Sequence, residues 1–63
     1  MKVESVKLEE VVPNNKYLVK HGTMFFVSKC HEVNGKKFFV NSDRYFRVGL
    51  EAVNAVALIE DVS

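Results

Sequence analysis

FFVSKCHEVNGKKFFV, residues 25–40, is the stretch that decides the fold of this chain. Asn34-Gly35 lies between two runs of β-branched and aromatic residues, and this dipeptide favours a type I′ hairpin turn because both central residues need positive φ. A two-residue loop also sets the pairing of the two arms: Val33 with Lys36, Glu32 with Lys37, His31 with Phe38, and Cys30 with Phe39. The stretch therefore predicts a tight antiparallel hairpin.

Both arms of this hairpin contain the triplet Phe-Phe-Val, which places aromatic side chains on both of its faces. The face with more apolar members is predicted to be the core face, and it carries Phe25, Val27, Val33, Phe38 and Val40. The other face carries Phe26, Cys30 and Phe39 among polar side chains. Phe26 and Phe39 have two interpretations: they turn inward in a bent hairpin that serves two sheets, which we prefer, or they form an exposed patch.

The rest of the chain predicts further strands. Strands are expected over residues 2–8, 16–20 and 44–48, with a loop over 9–15 and a tight turn at 21–23, where Gly22 supplies positive φ. Residues 50–60 fit either a helix or a helical turn over 50–54 followed by a strand over 55–60. We prefer the second, because Asn54 is unfavourable inside a helix and the open sheet needs a closing strand.

These elements predict a single all-β domain over residues 1–63. The expected form is a five-stranded SH3-like barrel or a strongly bent antiparallel sheet with a short helical turn near the C-terminus. The alternative is a four-stranded antiparallel sheet with a C-terminal helix. The expected core consists of Val6, Leu8, Leu18, Phe25, Val27, Phe38, Val40, Phe46, Val48, Val56 and Leu58.

Composition and charge exclude several classes of protein. One cysteine cannot form an internal disulfide framework, and the charged start MKVESVKLEE is unlike a signal peptide. The uncharged run over residues 52–59 is far shorter than the roughly 20 residues of a membrane helix. A soluble cytoplasmic protein is therefore expected. Net charge is +1, yet residues 16–47 hold seven cations against two carboxylates, so positive charge is concentrated in the middle of the chain.

The sequence shows no catalytic set, so no enzymatic activity is expected. Cys30 and His31 are neighbours, but adjacent strand residues point to opposite faces, and Cys30 is expected to be a buried apolar residue. One cysteine without CxxC or HxxxH spacing gives no metal site, and three isolated glycines form no phosphate loop. No cofactor, metal or small-molecule substrate is expected.

The remaining expectation is a non-catalytic binding module. The candidate partner-binding surface consists of Phe26, Lys37, Phe39, Tyr45 and Arg47, an aromatic and basic set that suits a protein interface. The same set suits single-stranded nucleic acid, which is the first alternative, and a homodimer through this face is the second. In size and style the chain resembles the accessory proteins of phages and mobile elements. This resemblance implies an accessory or regulatory protein that docks on another protein, and a protein partner is ranked first.

Overall fold

The computed structural model describes residues 2–42 and 46–60 and shows an all-β domain. Its strands are β1 (Lys2–Val6), β2 (Lys16–His21), β3 (Met24–Lys29), β4 (His31–Val33), β5 (Lys36–Asn41), β6 (Phe46–Gly49) and β7 (Ala55–Glu60). Two 3₁₀ turns, Leu8–Glu10 and Leu50–Ala52, stand before β2 and β7. The described residues contain no helix long and apolar enough to cross a membrane.

The strands form two antiparallel sheets, a four-stranded one in the order β1-β7-β2-β3 and a three-stranded one in the order β4-β5-β6. The all-β prediction is confirmed, as is the preferred reading of the C-terminal segment, a short helical turn followed by a strand. Within residues 2–42 and 46–60 the two sheets do not close into a barrel. The described residues form seven strands rather than the predicted five, and division of the long first arm of the hairpin at Cys30 accounts for one of the two additional strands.

Two short turns set the register of the strands. Asn34 has φ 53° and Gly35 has φ 77°, as a type I′ turn requires. The predicted pairs Val33–Lys36, Glu32–Lys37 and His31–Phe38 are confirmed. The other turn begins at Gly22, whose φ is 64°, and it pairs His21 with Met24.

The first arm of the hairpin bends at Cys30 and thereby enters both sheets. Its residues before the bend pair with β2, and those after it pair with β5. At the bend, the Cys30 N–H donates to the Asn15 carbonyl at 2.9 Å and the Cys30 carbonyl accepts from the Asn14 N–H at 2.9 Å. The predicted pair of Cys30 with Phe39 is therefore not formed, because the loop before β2 takes up the Cys30 backbone.

The core lies between the inner faces of the two sheets. Its largest members are Tyr17 of β2 and Phe39 of β5, whose rings meet edge to face with centroids 5.9 Å apart. The Tyr17 hydroxyl accepts the Val12 N–H at 3.1 Å, which satisfies its buried oxygen. The buried apolar residues are Val11, Tyr17, Val19, Phe26, Cys30, Phe39, Val48, Val53 and Val56. Cys30 is thus a buried residue, as expected.

The choice of the core face of the hairpin was wrong. Phe25 and Val27, which were expected inside, are 64% and 51% exposed, while Phe26 of the same triplet is 8% exposed. Leu18, Phe38 and Val40 are only partly buried and lie on the outer sides of their sheets. The other expected core residues are in or against the core: Val48 and Val56 are buried, and Val6, Leu8, Phe46 and Leu58 pack against them.

The inner face is more polar in composition, but its polar groups have partners. The Ser28 hydroxyl accepts the Val40 N–H at 3.0 Å and donates to the Lys29 carbonyl at 2.8 Å. Burying a polar group costs little once it is hydrogen-bonded. Burying the two large Phe rings together with the hydrogen-bonded Ser28 hydroxyl therefore stabilises the fold more than burying the more numerous apolar residues of the other face.

Candidate functional site

Two of the five predicted binding residues belong to the core. Phe26 is 8% exposed and Phe39 is fully buried, so neither ring can reach a partner from the folded domain. Their burial shows that the exposed-patch interpretation was wrong and that Phe26 and Phe39 turn inward in a bent hairpin. The physical reason is the bend at Cys30, which lets Phe26 and Phe39 enter the same core from different sheets.

Of the other three predicted residues, Lys37 and Arg47 lie on opposite sides of the three-stranded sheet. The Lys37 ammonium donates to the Val11 carbonyl at 2.7 Å and so holds the loop before β2. Arg47 is exposed on the opposite, outer side of the three-stranded sheet, where its guanidinium carbon lies 5.2 Å from the centre of the Phe38 ring. Tyr45 lies outside the described residues.

An aromatic and basic sheet face does exist, but on the outer side of the four-stranded sheet. The registers place alternate residues of all four strands there: Val3, Ser5, Lys16, Leu18, Lys20, Phe25, Val27, Lys29, Ala55, Ala57 and Ile59. We call these residues the outer face. Phe25, Val27 and Val3 are 64%, 51% and 49% exposed. Antiparallel sheets normally cover one side with core and present polar residues on the other, so an outer side with exposed apolar residues is a candidate binding surface.

The charges of the outer face are all positive among the described residues. Lys16 on β2 is directly opposite Lys29 on β3, and like charges in that arrangement repel each other. The Lys20 ammonium lies 5.8 Å from the centre of the Phe25 ring, a cation–π contact at an exposed site. The outer face therefore presents an apolar centre with cations on its β2 and β3 side.

A hollow of about 170 Å³ opens on the outer face. Small residues make this depression, since Ser5, Ala55 and Ala57 stand beside the larger Leu18 and Phe25. A cavity of about 150 Å³ holds a benzene ring. The hollow therefore has room for one large apolar side chain.

The outer side of the three-stranded sheet carries a second cluster with aromatic and basic groups. The His31 ring stacks on Phe38 with centroids 5.4 Å apart and an angle of 23° between planes. Because β5 is the middle strand, His31 on β4 and Arg47 on β6 contact Phe38 from two sides. The domain's own side chains thus contact this ring from two sides and leave it partly buried, whereas Phe25 stays largely exposed despite its contact with Lys20.

A groove of about 610 Å³ lies where the Asn34-Gly35 turn approaches the two 3₁₀ turns. Leu8 and Leu50 form its apolar floor, and both also pack against the core. Its charged rim includes Glu9 and Glu51 as well as lysines. The leucines at the floor of the groove thus already contribute to the core, and the mixed charges of its rim favour neither an anionic nor a cationic ligand.

The thiol of the single cysteine is enclosed. Cys30 is buried, and burial raises the pKa of its thiol above the ordinary value of 9.0; nearby Lys37 lowers this pKa and Glu32 raises it to smaller extents. The neighbouring His31 is exposed and stacked on Phe38. The two side chains point to opposite faces, as the sequence predicts. Among the described residues, no three His, Cys, Asp or Glu side chains gather as metal ligands would.

The sequence contains a signal that identifies the outer face. A two-residue turn at Gly22-Thr23 pairs Val19 with Phe26 and Lys20 with Phe25. This register puts Phe25 and Val27 on the same face as Lys16, Lys20 and Lys29. Three lysines on one side of a hairpin mark that side as the solvent side.

No protein-family model, curated protein sequence or solved structure matches the chain.

Proposed function

We propose that this chain is a non-catalytic binding module, a small accessory protein that docks on another protein through the outer face of its four-stranded sheet. The observation that carries the proposal is the exposure of Phe25, Val27 and Val3 on one continuous sheet surface. Exposed apolar surface costs free energy in water, at about 25 cal/mol per Å², and a partner that covers it recovers that free energy. Enclosure of the Cys30 thiol further supports a non-catalytic role.

A protein partner is favoured over a nucleic acid by the kind of apolar surface that is exposed. Binding of single-stranded nucleic acid relies on aromatic rings that stack on successive bases. Phe25 is the one aromatic ring on the outer face among the described residues, and the other large apolar side chains there are aliphatic. Aliphatic side chains with a single aromatic anchor suit the core of a protein interface better.

The experiment compares two valines of similar exposure on different sheets. Val27 is 51% exposed on the outer face, and Val33 is 56% exposed on the three-stranded sheet. The immobilised wild-type chain is used to capture proteins from a cell lysate, which are identified and quantified. Capture is then repeated with Val27→Ser, Phe25→Ser and Val33→Ser. We expect a specific partner whose recovery falls about tenfold with the first two variants, the loss of a contact near the interface centre, and stays unchanged with Val33→Ser.

Equal recovery of the partner with Val27→Ser and Val33→Ser contradicts the proposal.

Labelled single-stranded DNA and RNA are titrated in parallel at low and high salt. Binding whose log–log salt slope is about −0.7 per phosphate contacted, and which depends on Lys16 and Lys20, would favour the nucleic-acid alternative instead. Light scattering tests the homodimer: a stable dimer that Val27→Ser dissociates would show that a second copy covers the face.

A further inference from the structure

The charges of the outer face are distributed unevenly, and this distribution restricts what can cover it. Lys16 and Lys20 lie on β2 and Lys29 on β3, at one side of the sheet. The part contributed by β1 and β7 is uncharged among the described residues and consists of Val3, Ser5, Ala55, Ala57 and Ile59. A complementary partner therefore needs carboxylates along one flank only and an uncharged surface over the rest.

The dimensions of the face fit a single helix. Four strands spaced about 4.8 Å apart measure about 14 Å from the first strand axis to the last, and a helix with its side chains is about 10–12 Å wide. The hollow beside Leu18 and Phe25 takes one projecting side chain, which a helix presents from its apolar stripe. Lys16 and Lys20 are about 13 Å apart along β2, close to the about 10.5 Å between residues i and i+7 of a helix.

Resting on the function proposed above, we infer that the outer face binds an amphipathic α-helix of the partner protein, with carboxylates on the flank that meets Lys16, Lys20 and Lys29. The helix places one large apolar residue in the hollow between Ala55, Ala57 and Phe25. Its carboxylates relieve the repulsion between Lys16 and Lys29, which oppose each other across β2 and β3. A second copy of this chain brings no carboxylate on its own outer face, as far as residues 2–42 and 46–60 show, so it compensates none of these charges.

The test uses the full chain and a set of amphipathic peptides of about 16 residues, roughly 24 Å long. The peptides share helical apolar stripes with Leu, Ile or Phe at the central position, and they carry Glu, Gln or Lys along one flank. Binding is measured by fluorescence anisotropy at low and high salt. We expect at least one Glu-flanked peptide to bind about tenfold more tightly than its Lys-flanked counterpart, and the difference to shrink at high salt because exposed charges are screened.

Variants of the chain locate the binding. Phe25→Ser and Val27→Ser should weaken binding of the Glu-flanked peptide about tenfold, and Val33→Ser should leave it unchanged. Lys16→Gln should remove most of the advantage of Glu over Gln flanks while binding of the Gln peptide stays the same. Circular dichroism of each variant checks that the fold is kept.

Three results would overturn the inference: equal binding of Glu and Lys flanks throughout the set, no binding by any peptide, or binding indifferent to Val27→Ser. The capture experiment then shows which idea has failed. A partner whose capture depends on Val27, in the absence of any flank preference, would leave the proposed function standing and exclude the acidic helix. If neither the capture of a partner depends on Val27 nor the peptides show a flank preference, the outer face is excluded as a docking surface.

Discussion

The neighbouring residues Phe25 and Phe26 offer the sharpest test of the structure, because they share a strand and a side-chain type. Phe26 is 8% exposed and contributes to the core, so Phe26→Ala should lower the free energy of unfolding by about 3–5 kcal/mol. Phe25 is 64% exposed. Full burial of a Phe side chain is worth about 1.5–3 kcal/mol, and roughly a third of that gives an expected loss of about 0.5–1 kcal/mol for Phe25→Ala.

Urea denaturation followed by circular dichroism measures both losses. A domain of this size is stabilised by about 3–9 kcal/mol in total, so Phe26→Ala removes a large part of the stability. With an m-value of about 1 kcal/mol per molar urea, the midpoints of the two variants should differ by about 2 M or more. If Phe26→Ala shows no folded baseline, the pair Phe26→Leu and Phe25→Leu gives the same comparison on a smaller scale. A loss for Phe25→Ala equal to or larger than that for Phe26→Ala would refute the assignment of the two faces.

Three further predictions concern the turn, the buried hydroxyl and the thiol. Gly35→Val should cost about 1–2 kcal/mol of stability, since φ is 77° and a β-branched residue is strained there; Gly35→Asn should cost less, and equal midpoints of the two variants in urea would contradict this. Tyr17→Phe should cost about 1–3 kcal/mol because the Val12 N–H loses its acceptor, and an unchanged thermal midpoint would show that water replaces it. The raised pKa of Cys30 means that the folded chain keeps the thiol proton at pH values where the unfolded chain releases it, so this contribution to stability is present below the ordinary pKa and falls as pH rises above it. Unfolding free energies measured from pH 7 to 10 should therefore decline more steeply for the wild type than for Cys30→Ala, and alkylation by iodoacetamide should be slow until urea unfolds the chain.

The sequence predicts most of what depends on local sterics. Asn34-Gly35 and Gly22 identify the two turns because few other residues tolerate positive φ, and the short loops then set the register. The strand after Leu50–Ala52 follows from the poor fit of Asn54 in a helix. In these places the deciding interaction lies within a few residues of the chain.

The core face could not be chosen by counting apolar residues, because that count favours the wrong side of the hairpin. The grouping of side chains was right, with Phe26, Cys30 and Phe39 on one side and Phe25, Val27 and Phe38 on the other. The decision between them depends on distant partners: Tyr17 packs against Phe39, and the loop at Asn14 takes up the Cys30 backbone. Because the sheet has a period of two, reversing one choice exchanges every member of the face. For that reason the predicted binding residues Phe26 and Phe39 lie in the core, and the exposed aromatic residue of β3 is Phe25.

The bend at Cys30 also has a consequence for how the domain unfolds. A continuous backbone of ten residues after Thr23, residues 24–33, supplies an edge strand to both sheets, so neither sheet can open by itself without pulling on the other. Sheets that share a strand in this way form one cooperative unit, and partial opening confined to one layer becomes costly. Amide hydrogen exchange should report a similar opening free energy for Val19 in the middle of β2 and Phe39 in the middle of β5. Costly partial opening also helps this small domain to tolerate the exposed Phe25, Val27 and Val3, because half-open states are those from which aggregation begins.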